Sequence, residues 1–135
     1  GLSVYGEQRG CALCDFDGDG RVDLAVSQNG AETKLYQNLG ARPGLRVRLN
    51  GPAGNLAGSG ATIRLISGQR PGPARELHAG SGYWSQDGAV PVMASPEPPT
   101  RVEVRWPGGR VTTADLAAGA KDIAVDVSGK VTVLR

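Results

Sequence analysis

Four carboxylates crowd into nine residues early in the chain: Asp15, Asp17, Asp19 and Asp23, with Gly18 and Gly20 between them. Like charges at that density repel unless something positive sits among them. Counted from Asp15, the aspartates fall at positions 1, 3, 5 and 9. Position 6 is Gly20, where an ion-wrapping loop needs a sharp turn. Position 7 is Arg21, whose backbone carbonyl is an available donor. Hard oxygens at alternate positions around a glycine pivot suit Ca2+, which accepts about 6–8 oxygen ligands in flexible geometry. Mg2+ demands a stricter octahedron and keeps its waters. Aspartate and glycine are also ordinary turn residues, so a solvated acidic turn is the plain alternative. Position 12 is Val26, not the bidentate Glu of a helix–loop–helix site. The flanks read as strands, so a hairpin calcium loop is expected. Without that Glu its affinity falls below that of a cytosolic buffer, and such a site stays filled only outside the cell.

Other reactive side chains are sparse. Cys11 and Cys14 form C-A-L-C, and His78 is the only histidine, too few ligands for a structural zinc. In an extended strand residues three apart lie about 10 Å apart, beyond disulfide reach. Two small buried thiols or, if the backbone turns, a disulfide of Cys11 and Cys14 remain open. His78 lies near Ser81, Ser85 and Asp87 in sequence, but no nucleophile elbow is present, so a surface strand histidine outweighs a catalytic base. No glycosidase carboxylate pair, P-loop or dinucleotide fingerprint stands out. Tyr83, Trp84 and Gln86 in "GSGYWSQD" form a possible ligand or partner surface for a carbohydrate or protein. Such aromatics more often plug the end of a sandwich. No catalytic residues are assigned, and the chain is read as not an enzyme.

The elements that must hold these groups are strands. Helical periodicity is nearly absent, and "DLAAGAKD" (115–122) offers at most one short turn. "GLRVRLNG" and "TRVEVRW" alternate apolar and charged residues with the period of half-buried strands. "WPGGR" and "VSGKV" mark hairpins, and residues 67–76, "SGQRPGPARE", read as a longer Gly/Pro hairpin. "ASPEPPT" reads as an extended connection. With 21 glycines, 9 prolines and a strand every eight to twelve residues, the 135-residue chain predicts an antiparallel sandwich or small barrel.

The net charge of +2, scattered over the sequence, argues against nucleic acid or an anionic membrane as partner. No apolar run approaches the roughly 20 residues of a membrane span. No leader peptide and no initiator Met are visible, so a processed or excised piece of a longer precursor is expected.

"DFDGDGRVDLAV", followed by "KLYQNLG", resembles the calcium loops of FG-GAP/VCBS repeats in integrin-type β-propellers. That resemblance implies Asp15, Asp17, Asp19, the Arg21 carbonyl and Asp23 as the metal ligands. "GSGATIRL", "RELHAGSGYWSQD" and "VEVRWPGGR" resemble the ASPIC/UnbV domain of cartilage acidic protein-like chains and many bacterial secreted proteins. In place of that family's His-Phe-Gly-Leu-Gly-like segment this chain has "VPVMASPEPP". The resemblance implies an extracellular protein of bacterial source with calcium-binding, matrix-type roles and no transferable activity.

The expected architecture is therefore all-β. Residues 1–43 form a propeller-repeat-like calcium-loop β-hairpin, and residues 44–135 an antiparallel β-sandwich. A propeller repeat cannot bury its apolar face alone. Homo-oligomer or filament formation, through strand pairing between copies, is the expected way to cover it, with a monomeric adhesion module or a secreted hydrolase fragment as alternatives.

Overall fold

The computed structural model describes residues 2–135; Gly1, counted in the first expected segment, lies outside the described residues. Eleven strands run in chain order: β1 (Gln8–Cys14), β2 (Asp23–Gln28), β3 (Ala31–Tyr36), β4 (Leu45–Asn50), β5 (Thr62–Ser67), β6 (Arg70–Glu76), β7 (Val92–Met93), β8 (Arg101–Arg105), β9 (Val111–Asp115), β10 (Asp122–Asp126) and β11 (Val131–Val133). The fold is all-β. Among the described residues no helix is long and apolar enough to cross a membrane.

The strands form three sheets, ordered β1-β2-β3, β11-β10-β4-β7 and β6-β5-β8-β9. Alternation dictates the sandwich. Leu45, Val47 and Leu49 of β4 turn to one side, with Ile123 and Val125 of the neighbouring β10. Ile63 and Leu65 of β5 and Val102 and Val104 of β8 meet them from the other sheet, and Trp106 closes the cluster. Burying each such aliphatic side chain contributes about 1.5–3 kcal/mol. The Trp106 indole N–H donates to Thr112 Oγ1 at 2.9 Å, so its one polar atom is paired inside the core.

Three expectations need correction. The sandwich is not purely antiparallel: β10 runs parallel to β4, with Asp122 opposite Arg46 and Asp126 opposite Asn50. Residues 67–76 are not a long Gly/Pro hairpin. Ser67 pairs with Arg70 across a two-residue turn at Gly68 (φ 60°), and the prolines lie within β6. As the edge strand of its sheet, β6 can dispense with an N–H at Pro71 and Pro73. Residues 115–122 hold no helical turn; Asp115 ends β9, Asp122 opens β10, and Gly119 (φ 77°) sits in the link between them.

On the outer face of the β11-β10-β4-β7 sheet, the pairing of Arg46 with Asp122 and of Arg48 with Ala124 sets two arginines beside an acid. The loop between β1 and β2 lies against this face: Gly44 N donates to Gly20 O at 2.8 Å, and Arg135 Nη1 to Gly18 O at 3.3 Å. The three-stranded sheet is also fastened to residues 87–88, through Gly88 N to Leu13 O at 2.8 Å and Leu13 N to Asp87 Oδ1 at 2.8 Å.

Candidate metal centre

Cys14 pairs with Asp23, so residues 15–22 form the loop of the β1–β2 hairpin. The aspartates shape this loop themselves. Asp15 accepts the N–H of Asp19 on Oδ1 at 3.0 Å and that of Gly20 on Oδ2 at 2.9 Å. Asp17 Oδ1 accepts from Asp19 N at 3.1 Å, and Asp19 Oδ1 from Arg21 N at 2.8 Å. Gly18 (φ 76°) and Gly20 (φ 85°) supply the left-handed backbone that this winding requires.

The result gathers Asp15, Asp17 and Asp19, with one carboxylate oxygen from each lying within 4.8 Å of the others. A Ca–O contact is about 2.3–2.6 Å, so two donors across one ion stand up to about 5 Å apart. An all-oxygen set at this spacing therefore fits a hard divalent cation. Asp23 is placed elsewhere. It is buried at 2% exposure, accepting the Phe16 N–H on Oδ2 at 2.9 Å and the Asn38 N–H on Oδ1 at 2.8 Å. Arg21 reaches the site through its side chain: Nη1 lies 2.6 Å from Asp19 Oδ2, and Nε donates to Ala41 O at 2.7 Å. Desolvation opposes ionisation of Asp19, but the Arg21 guanidinium and N–H outweigh it and hold the carboxyl below its ordinary value.

Sequence reasoning missed a second cation. The Asp15 side chain is 1% exposed, and Arg46 Nε lies 3.4 Å from its Oδ2 and 3.4 Å from Asp122 Oδ2. Arg46 Nε is buried without a hydrogen bond, so both contacts are charge–charge contacts of poor bonding geometry. Arg48 completes the chain with Nη2 at 3.1 Å from Asp122 Oδ2. A Cβ on Gly18 would sit 2.6 Å from Arg46 Nη1, so the loop closes directly over this guanidinium, and any side chain there would also have to take a φ of 76°. Gln37 donates Nε2 to Asp17 Oδ2. In the sequence, Arg46 reads as the solvent side of an alternating strand; its exposed-looking register was the only signal.

Cys11 and Cys14 are free thiols and are not bridged. Both lie in continuous register in β1, and their odd spacing turns them to opposite faces. The Cys14 thiol is pushed up from its ordinary value by burial first, and then by the charges of Asp23, Asp15 and Asp87.

Tyr83 and Trp84 do not plug the sandwich. They are 67% and 85% exposed on a tight turn closed by a Gly82–Ser85 bridge, with ring centroids 6.0 Å apart. The plug role falls to Trp106. Gln86 is exposed two residues on. His78 sits at the surface with Nδ1 at 3.7 Å from Glu76 Oε1, and no hydrogen bond joins it to a serine among the described residues.

Residues 51–131, more than half of the chain, match the family described as ASPIC and UnbV. Cartilage acidic protein 1 of Xenopus tropicalis is 28% identical over 129 residues, covering 91% of this chain and 20% of that protein. Cartilage acidic protein 1 of Homo sapiens is 27% identical over 132 residues, covering 93% and 20%. The chain thus spans about a fifth of the length of these relatives. Both are vertebrate proteins and lend no support to a bacterial source. The aspartate loop lies outside the family match.

Proposed function

Because the chain belongs to the ASPIC and UnbV family, we propose that it is an extracellular structural protein in which one calcium ion clamps the loop between β1 and β2. The observation that carries this reading is the convergence of Asp15, Asp17 and Asp19 within 4.8 Å on a glycine-pivoted loop. These three side chains hold the ion, joined by the Arg21 carbonyl. Asp23 stands outside this cluster, bracing the backbone of Phe16 and Asn38. The ion supplies positive charge where three carboxylates repel, and it fixes the hairpin against the outer face of the sandwich. The likeness of the loop to FG-GAP/VCBS repeats supports the same role. Relatives named for cartilage support an extracellular setting, where calcium is plentiful. Calorimetric titration with calcium, paired with melting curves in calcium and in chelator, tests the reading. One site and a higher Tm in calcium are expected; identical Tm values with no heat of binding reject it.

The role is structural, not catalytic, within a self-assembling surface or matrix filament. Ala31–Leu35 of β3 are exposed along the open edge of the three-stranded sheet, and Leu35 and, just beyond the strand, Leu39 are 47% and 77% exposed. A strand from another copy added there extends the ladder. Light scattering after size exclusion, with electron microscopy, is expected to show multimers in calcium. A strict monomer removes the assembly and leaves the calcium site standing.

A further inference from the structure

Among the described residues, Trp84 is the one non-glycine residue with positive φ, at 53°. L-residues with bulky side chains avoid that region, and strain of this kind gathers at ligand clamps. The strained residue is also the most exposed aromatic but one, at 85%. Its mount is firm. Ser81 N donates to Ser85 O at 3.2 Å, Asp87 N to Ser81 Oγ at 2.7 Å, and a Cβ on Gly10 of β1 would sit 2.9 Å from Tyr83 O. The fold thus holds two aromatic rings out in solvent on a braced turn when hydrophobic burial would draw them in.

Ser81 and Gln86, on either side of that turn, line a cavity of about 320 Å3 with Ser59, Glu76, His78 and Asp87. The Gln86 amide makes no hydrogen bond among the described residues, and the side chains of Glu76 and His78 are more than half exposed. Neither ring lines the cavity itself, but Ser81 and Gln86 carry its open donors and acceptors to the base of the turn that holds the two tilted rings. A sugar ring offers the matching chemistry: one face of C–H bonds to rest on the indole, and a rim of hydroxyls that both donate and accept. We infer that the Tyr83–Trp84 turn and the adjoining Gln86–His78 cleft bind a neutral saccharide. Two carboxylates, Glu76 and Asp87, border the cleft against the single permanent cation Arg75, which disfavours sulfated or uronic glycans. This site uses none of the aspartates of the calcium loop.

Affinity electrophoresis of the whole chain through native gels containing hydroxyethylcellulose, xylan, laminarin or chondroitin sulfate tests the inference. Retardation in at least one neutral gel is expected, with a change in tryptophan emission when that polysaccharide is titrated. Trp84→Gly keeps the turn, because glycine takes φ 53° freely, and is expected to weaken binding about tenfold or more with Tm unchanged. Trp84→Asn, which also tolerates this φ, serves if the glycine variant unfolds. Gln86→Ala is expected to weaken binding severalfold. No retardation in any neutral gel, retardation in chondroitin sulfate alone, or equal retardation of a folded Trp84 variant overturns the inference.

Discussion

Arg46 Nε lies 3.4 Å from Asp15 Oδ2, so a cation from the sandwich already occupies the flank of the carboxylate that a metal ion would share. Arg46→Gln is expected to act in two opposite directions. In chelator it lowers stability by about 1–3 kcal/mol, because Asp15 and Asp122 lose a buried counter-charge while keeping other partners. In calcium the affinity rises by roughly tenfold, because one competitor for Asp15 is gone. Urea unfolding and calcium titration of the two proteins measure both terms; an unchanged calcium affinity shows that Arg46 does not compete.

Asp17 and Asp23 are expected to answer differently to amide substitution. Asp17→Asn removes a charged donor from the cluster and abolishes most of the calcium-induced rise in Tm, while stability in chelator stays the same or improves. Asp23→Asn leaves one acceptor for two backbone N–H groups and sets an NH2 against the other, costing about 1–3 kcal/mol with or without calcium. Loss of calcium response in Asp23→Asn alone, at unchanged chelator stability, makes Asp23 a ligand and not a brace.

The two thiols are expected to differ in reactivity. Cys11 is exposed, whereas burial and three nearby carboxylates keep Cys14 protonated to higher pH. Iodoacetamide at mildly alkaline pH should label Cys11 first, as read by peptide mass mapping. A single reagent equivalent appearing on Cys14 contradicts this.

Acid should expose the β10–β11 turn. The Ser128 hydroxyl holds the Asp126 carboxyl below its ordinary 3.8, against desolvation, with further help from the Lys130 and Ser128 N–H groups. The folded value is lower than the unfolded one. The turn's contribution is therefore complete above about pH 4 and is lost as pH falls through the folded value. Asp126→Asn should lower Tm at neutral pH and shrink the further loss on acidification, measured by thermal melts across that range.

Much of this was legible in the residues and some was not. Alternation in 45–49 and 101–105 located two core strands because their inner faces are purely aliphatic. Prolines 71 and 73 masked β6, since only the sheet order reveals that β6 lies at an edge. The gathering of Asp15, Asp17 and Asp19 was readable from local spacing, because an ion-wrapping loop is built within itself. Asp23 sits in the same pattern, yet backbone N–H groups of Phe16 and Asn38 claim its oxygens, one of them from the far side of the hairpin. Arg46 and Asp122 were hidden for a plainer reason: parallel pairing of β4 with β10 joins residues far apart in sequence, and no local signal encodes that choice. The Tyr83–Trp84 turn looked like a plug because large aromatics ordinarily bury; the structure leaves both rings exposed and buries Trp106 in the core.

The parallel union of β4 with β10 also orders events at the ribosome. Arg46 emerges long before its neighbour Asp122, with over half the chain translated in between. Until then β4 has only the two-residue β7 as a hydrogen-bonded neighbour, and the core lacks Ile123 and Val125. Nascent chains halted before residue 122 should consequently attract chaperones and proteases, while those extended past β11 close the sandwich in one late step.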